Sequence, residues 1–241
     1  MTTSDYRTPS GLPLGRPLSK WASRSLPPRA VLEGRFCRLE PLDVARHGDD
    51  LVAAFSKTDE DSWRYLFAGP FDSDEDCRTW LADVATRTTE VPYALIDLKS
   101  GRAAGMASYM RIEPGHGVIE VGSIHYSDML KRTPATTEAM FLMMRHVFDD
   151  LGYRRYEWKC DSFNAPSRRA AQRLGFLFEG IFRQHMVVKG HSRDTAWFAI
   201  VDSDWPMLKR AYEKWLSPDN FDESGQQRVS LSDLIGATRG E

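Results

Sequence analysis

Between Arg155 and Phe176 the chain places its densest run of chemically capable side chains. Tyr156, Trp158 and Cys160 alternate with Arg155, Glu157, Lys159 and Asp161, the two-residue period of a strand with one buried face. Asn164 then stands where a helix N-cap belongs, and Pro166 lies in the first turn. Ala170, Ala171 and Leu174 share a face, and Gly175 closes the helix. A strand feeding a short helix through an Asn cap leaves backbone N–H groups free at the helix start. With Arg168, Arg169 and Arg173 beside them, these donors make an anion and cofactor site. Covalent catalysis has no comparable support, because no Ser-His-Asp or Cys-His constellation is visible.

The elements that must position this run can be read on either side of it. Residues 1–30 carry Pro9, Pro13, Pro17, Pro27 and Pro28 with little periodicity, and read as an extended arm, draped over the domain or disordered. Residues 31–216 form the domain proper. Arg35–Leu42 reads as a first strand and Leu42–Phe55 as a helix interrupted by Gly48. Ser73 and Asp76 form a capping box with Asp in place of Glu, opening a helix through Trp80 to about Val84. Tyr93–Leu98 and Ala103–Ile112 make a hairpin turning at Lys99-Ser100-Gly101. Val118–Tyr126 is the next strand. Thr133 is placed to cap, and Pro134 to begin, a helix whose apolar stripe runs from Met140 to Leu151. A second hairpin joins Val187–Val188 to Thr195–Ile200 through Lys189-Gly190, and Pro206–Leu216 is a helix. Residues 217–241 read as a polar tail with one stray turn over Ser230–Ile235. Strands with interspersed helices predict a mixed α/β or α+β protein, and periodicity alone does not choose the topology.

Composition narrows the class. A chain of 241 residues that is 41% hydrophobic, with seven Trp and twelve Phe, supports a sizeable core in one domain with tails. A net charge of −2 argues against a general nucleic-acid or membrane-surface binder. Cys37, Cys77 and Cys160 are too few and too scattered for a disulfide framework or a zinc site, which fits a reducing cytoplasm. No run approaches bilayer length, and the N-terminus lacks the apolar segment of a signal peptide.

Asn164-Ala165-Pro166-Ser167, Arg173-Leu174-Gly175-Phe176 and Glu179-Gly180 together resemble the GNAT superfamily of acetyl-CoA-dependent N-acetyltransferases, in the branch that includes the ribosomal-protein N-terminal acetyltransferases. Arg132-Thr133-Pro134 with Thr137-Glu138-Ala139 upstream, and Phe182-Arg183-Gln184-His185, Lys189-Gly190 and Arg193-Asp194 downstream, continue the pattern over roughly residues 30–215. The resemblance implies an α+β fold, a mostly antiparallel sheet flanked by helices, whose fourth and fifth strands splay apart to admit the pantetheine arm.

It also implies roles. The family's phosphate turn has a basic residue or Gln, two arbitrary residues, Gly, one more residue, then Gly or Ala. This chain aligns Lys131 first, with Pro134 in place of Gly and Thr136 in place of the small residue. Cofactor contacts are therefore expected from Lys131, Arg132, Thr133, Ala135, Thr136 and Thr137, joined by Asn164, Arg168, Arg169 and Arg173. Pro134 removes one amide donor, so the cradle must use its neighbours. Asn164 and Ser167 are expected near the thioester, with the Ser167 hydroxyl nearest the leaving thiolate. Glu120-Val121-Gly122 matches a Glu-x-Gly on the family's fourth strand and makes Glu120 the candidate base for a protonated amine. His125 rivals it, its side chain titrating near neutrality when unperturbed. Asp61, Trp63, Tyr65 and Phe67, with His125, are candidates for the acceptor pocket, aromatics packing around the substrate and carboxylates attracting its amine.

The expected partners are acetyl-CoA as co-substrate and an amine acceptor, with no metal, nucleic acid or membrane, in a monomer or homodimer. Two other readings stay open at this point. One is a non-catalytic CoA-binding sensor, which the altered Lys131–Thr136 turn would suit. The other is an interaction protein acting through its Pro-rich arm and tail.

Overall fold

The computed structural model describes residues 6–239. A small outlying hairpin pairs β1 (Tyr6–Arg7) with β2 (Pro13–Leu14). The main sheet has eight strands: β3 (Leu32–Glu33), β4 (Cys37–Pro41), β5 (Val91–Asp97), β6 (Arg102–Glu113), β7 (Val118–Tyr126), β8 (Arg155–Asp161), β9 (Leu177–Val188) and β10 (His191–Val201). Their order is β3-β4-β5-β6-β7-β8-β10-β9, antiparallel throughout except for the parallel β7/β8 pair. The helices are α1 (Val44–Phe55), α2 (Asp74–Thr86), α3 (Pro134–Arg145), α4 (Ala165–Arg173), α5 (Trp205–Leu216) and α6 (Leu231–Arg239). This is an α+β architecture, a mostly antiparallel sheet flanked by helices, as the resemblance implies.

β5 shows how both faces are covered. Ala94 and Ile96 join Leu51, Phe55, Leu81 and Met106 under α1 and α2, while Tyr93 and Leu95 face the larger core beneath α3, α5 and α6. A strand buried on both sides reads as a continuous apolar run, which Val91–Ile96 is. Gly48 does not interrupt α1. It is buried where a Cβ would come within 3.0 Å of Arg78 on α2, so it lets the two helices approach. Ser73 and Asp76 form the expected box, Ser73 Oγ accepting from Asp76 N at 3.1 Å and donating to Asp76 Oδ2 at 2.6 Å. Glu138 ties α3 to the β3–β4 turn. Its buried carboxylate accepts from the backbone N–H groups of Arg35 (2.8 Å), Phe36 (2.6 Å) and Cys37 (2.9 Å).

Two further expectations need correction, and one open alternative is decided. The polar-tail reading fails because Leu231, Leu234 and Ile235 are one apolar stripe, buried against α5 in a true helix. Ser230 caps it, accepting from Asp233 N at 3.1 Å, and Asn220 pins the preceding loop to Trp215 O and Val229 O. The Pro-rich arm is draped over the domain from Trp21 onward. Trp21 Nε1 donates to Gly115 O at 2.9 Å, and Ser25 O and Arg29 are held by Tyr153 Oη and Arg87 O. Strand β8 is not half-buried: Glu157 and Lys159, on the face expected to meet solvent, are buried in an ion-pair network.

Candidate active site

β7 and β8 pair in parallel only from Val118↔Arg155 to Val121↔Trp158. Beyond that point β7 stays with β6 as far as Tyr126, and β8 stays with β10 as far as Asp161. The two strands therefore part, as the resemblance implies. A β-bulge provides the cause: between Gly122 and His125, β7 carries one residue more than β6 does, and Ser123 sits at φ 49°. Bulges bend a strand and raise its twist. This one falls at the last β7/β8 pair, so backbone groups of Gly122–Tyr126 lose their partner on the β8 side. The opening leads into a cleft of about 1330 Å³.

At one mouth of the cleft stands α3. Its N-cap residue Thr133 makes no side-chain cap, because the hydroxyl donates back to Leu130 O at 2.7 Å. The expected Thr133 cap is thus replaced, and the first-turn N–H groups at Ala135 and Thr136 have no side-chain acceptor. Asp43, Ser73 and Asn164, by contrast, cap α1, α2 and α4. Arg132, at φ 64°, forms the tight turn just before. Thr137 is buried and accepts from Arg173 Nη1 at 3.0 Å, bringing the guanidinium of α4 to the start of α3. Arg169 is exposed at the same mouth. Lys131 lines the cleft but is held by Asp128 (2.7 Å) and Ser62 (3.0 Å). Arg168 turns away, donating to Ser162 O at 3.1 Å with Phe178 near its plane, because it lies on the far side of α4. Trp215, Phe221 and Gln227 complete this end, which no local motif announces.

Asn164 caps α4 by accepting from Ser167 N at 3.1 Å. Ser167 Oγ in turn accepts from Trp158 Nε1 at 3.0 Å, so what the hydroxyl can still offer is its proton. Cys160 lies beside it, its thiol pushed up by burial.

Glu120 sits at the vertex where β7 and β8 part, and it is buried, not solvent-facing. Arg111 Nη1 donates to its Oε1 at 2.7 Å, and Lys159 Nζ lies 2.7 Å from its Oε2, off the axis of a straight hydrogen bond. Arg111 reaches it from a second bulge, on β6, where Arg111 takes φ 45°. Lys159 also pairs with Glu157 at 2.7 Å and stacks over Trp197 at 3.9 Å. An ion-pair chain continues through Arg155 to Glu179.

The opposite wall is aromatic. Trp63 is almost fully buried, with His125 at 4.5 Å and Phe55, Phe71 and Trp80 around them. Burial first, and Lys189 second, pull the His125 pKa down to about 3. His125 is therefore neutral near pH 7 but a poor proton acceptor. Tyr65 and Phe67 lie further out, Phe67 largely exposed, and Asp61 is engaged by Arg64 at 2.5 Å. The tip of the β9–β10 hairpin braces this loop. Lys189 Nζ donates to Trp63 O at 2.8 Å, Ala68 O at 3.0 Å and Gly69 O.

The chain matches an acetyltransferase (GNAT) domain model over residues 38–177. The chain belongs to the GNAT acetyltransferases. It is 51% identical to a GCN5-related N-acetyltransferase from Brucella melitensis, covering 91% of this chain and 100% of that one at TM-score 0.89. A probable acetyltransferase from Chromobacterium violaceum is 40% identical over 83% of this chain and 100% of its own, at TM-score 0.75. A ribosomal L7/L12 α-N-protein acetyltransferase solved with coenzyme A shares the fold at 20% identity and TM-score 0.59, covering 73% of this chain and all of its own. No functionally curated protein matches the chain. Among the described residues no helix is long and apolar enough to cross a membrane.

Proposed function

We propose that the protein transfers an acetyl group from acetyl-CoA directly to a primary amine. The observation that carries this reading is the wedge between β7 and β8, with the uncapped start of α3 at one end and Glu120 at its vertex. The residues present suit the co-substrate. N–H groups at Ala135 and Thr136, with Arg132, Thr133 and Lys131 in the turn, would hold phosphate, aided by Arg169 and by Arg173, which Thr137 holds in place. The backbone groups of Gly122–Tyr126 on the β8 side offer donors and acceptors to a pantetheine chain. Bound there, acetyl-CoA supplies an acyl thioester whose carbonyl carbon is the electrophile.

The chain's own residues then have separable tasks. Glu120 receives the proton of the entering ammonium, directly or through one water, so that the free amine attacks in a ternary complex. Arg111 and Lys159 compete for that carboxylate and fix its position. Asn164 orders the start of α4, and Ser167 is placed to give a hydrogen bond to the departing sulfur. Trp63, Tyr65 and Phe67, with neutral His125, form the acceptor wall, and Asp61 sits at its rim. Acetyl-CoA and free CoA should both raise the melting temperature, and incubation with amines should release CoA in step with acetylated product. Absence of CoA binding at millimolar ligand would overturn the reading.

A further inference from the structure

Arg193, at the third position of β10, is a cation the site described so far does not use. It is 6% exposed and lines the cleft on the acceptor side, with the Phe67 ring 5.1 Å from its Cζ. Its Nε donates to Thr195 Oγ1 at 3.2 Å, and among the described residues its two terminal nitrogens form no ion pair.

Among the described residues no carboxylate makes an ion pair with it. Asp194 Oδ1 accepts from Gln184 N at 2.6 Å, across a third bulge where Gln184 takes φ 49°. Asp161 Oδ1 accepts from Phe163 N at 2.8 Å. Glu120, Glu157 and Glu179 are matched by Arg111, Lys159 and Arg155 in the ion-pair chain, which is neutral without Arg193. Burial pulls the Arg193 pKa down and Arg111 adds to it, while the charges of Asp161 and Glu120 oppose them from beyond ion-pair distance; a guanidinium keeps its charge at any physiological pH. A buried charge without a direct ion pair is costly, and the Phe67 face offsets little of that cost.

We infer that Arg193 receives the carboxylate of an amine acceptor, which makes the acceptor an amino acid or another small amine bearing a carboxylate near its nitrogen. The planar fork suits two parallel hydrogen bonds to one carboxylate. Glu120 then takes the ammonium end and Arg193 the carboxylate end of one small zwitterion. This rests on the acetyl-transfer reading above and narrows its acceptor.

The test uses the full chain and matched amine pairs: amino acids beside their amides and their decarboxylated amines, rates expressed per neutral amine. The carboxylated member should be preferred roughly 10- to 100-fold in kcat/KM, the worth of one charge-assisted pair. Arg193→Gln should bring that ratio near one, and Arg193→Lys should retain part of it, with acetyl-CoA affinity and denaturation midpoint confirming that both variants fold. Equal rates within each pair, or a preference that survives Arg193→Gln, would overturn the inference. Should no amine be acetylated, the acetyl-transfer reading fails by itself. Calorimetric titration of the same pairs into CoA-loaded protein then decides: carboxylate-selective binding lost in Arg193→Gln upholds the assignment, and equal affinities refute it.

Discussion

His125 gives the most quantitative expectation, because one environment fixes both its charge and its consequence. Its ring lies among Phe55, Trp63 and Trp80, with centroids 4.5 to 5.8 Å away, and Lys189 adds positive charge nearby. Folding thus lowers its pKa from about 6.5 to about 3. The unfolded chain binds a proton at this residue below about pH 6.5, and the native state does not until about pH 3. Stability contributed by keeping the ring neutral is therefore fully present above about pH 6.5 and is lost as pH falls. The loss runs at about 1.4 kcal/mol per pH unit and ends near the native pKa. At about pH 5 this single group costs about 2 kcal/mol. His125→Phe removes the proton site while keeping an aromatic ring in an aromatic box. Urea denaturation of both proteins from about pH 7 to about pH 4 should show unfolding free energies whose difference changes with that slope. Repacking around Phe shifts the offset between the curves without altering the slope. Every other titrating group cancels in the difference. Parallel curves would mean that His125 is protonated in the native state, and the account of the aromatic wall would be wrong.

Glu120→Gln should leave acetyl-CoA affinity intact while lowering turnover by roughly 100-fold or more, measured as steady-state CoA release; near-wild-type rates across pH would move the base elsewhere. Ser167→Ala should lower turnover less, since a thiolate leaves readily at neutral pH. Arg173→Ala and Arg169→Ala should each weaken CoA by about 1.5–3 kcal/mol while barely touching a pantetheine fragment, as calorimetry can read. Glu138→Gln should destabilise the fold by roughly 2–4 kcal/mol in denaturant melts, because an amide nitrogen would face three backbone N–H groups that now share a carboxylate.

Local chemistry was legible where the partners lie within a few residues. The Asn164 cap, the Ser73–Asp76 box and the Pro134 helix start are all where spacing puts them, since each depends on its own turn. Ser230, Leu231, Leu234 and Ile235 carried the same kind of signal, a cap and an i, i+3, i+4 stripe, at a length where isolated helices are marginal. That helix exists because α5 covers it. Thr133 shows the opposite failure: its type suits a cap, but the preceding turn claims its hydroxyl. Arg168 and Arg173 look equivalent in sequence, and only the seating of α4 decides that one meets Ser162 and the other Thr137.

The acceptor side was the least legible part, and the bulges explain why. Arg111, Ser123 and Gln184 each hold a left-handed backbone conformation without being glycine, so no residue type flags them. The slips at Arg111 and Ser123 change which face the following side chains meet, because a one-residue slip on a strand inverts inside and outside. Counting alternation along β6 or β7 from the sequence therefore loses phase at the very residues beside the cleft. Arg111 reaches Glu120 because of one such slip. Across the next, Asp194 is bound to Gln184 N and makes no ion pair with Arg193. Strain of about 1–3 kcal/mol per residue persists only where the surroundings over-determine it. Two of these residues, Arg111 and Ser123, line the one cleft, which marks this end as a part shaped for something other than stability.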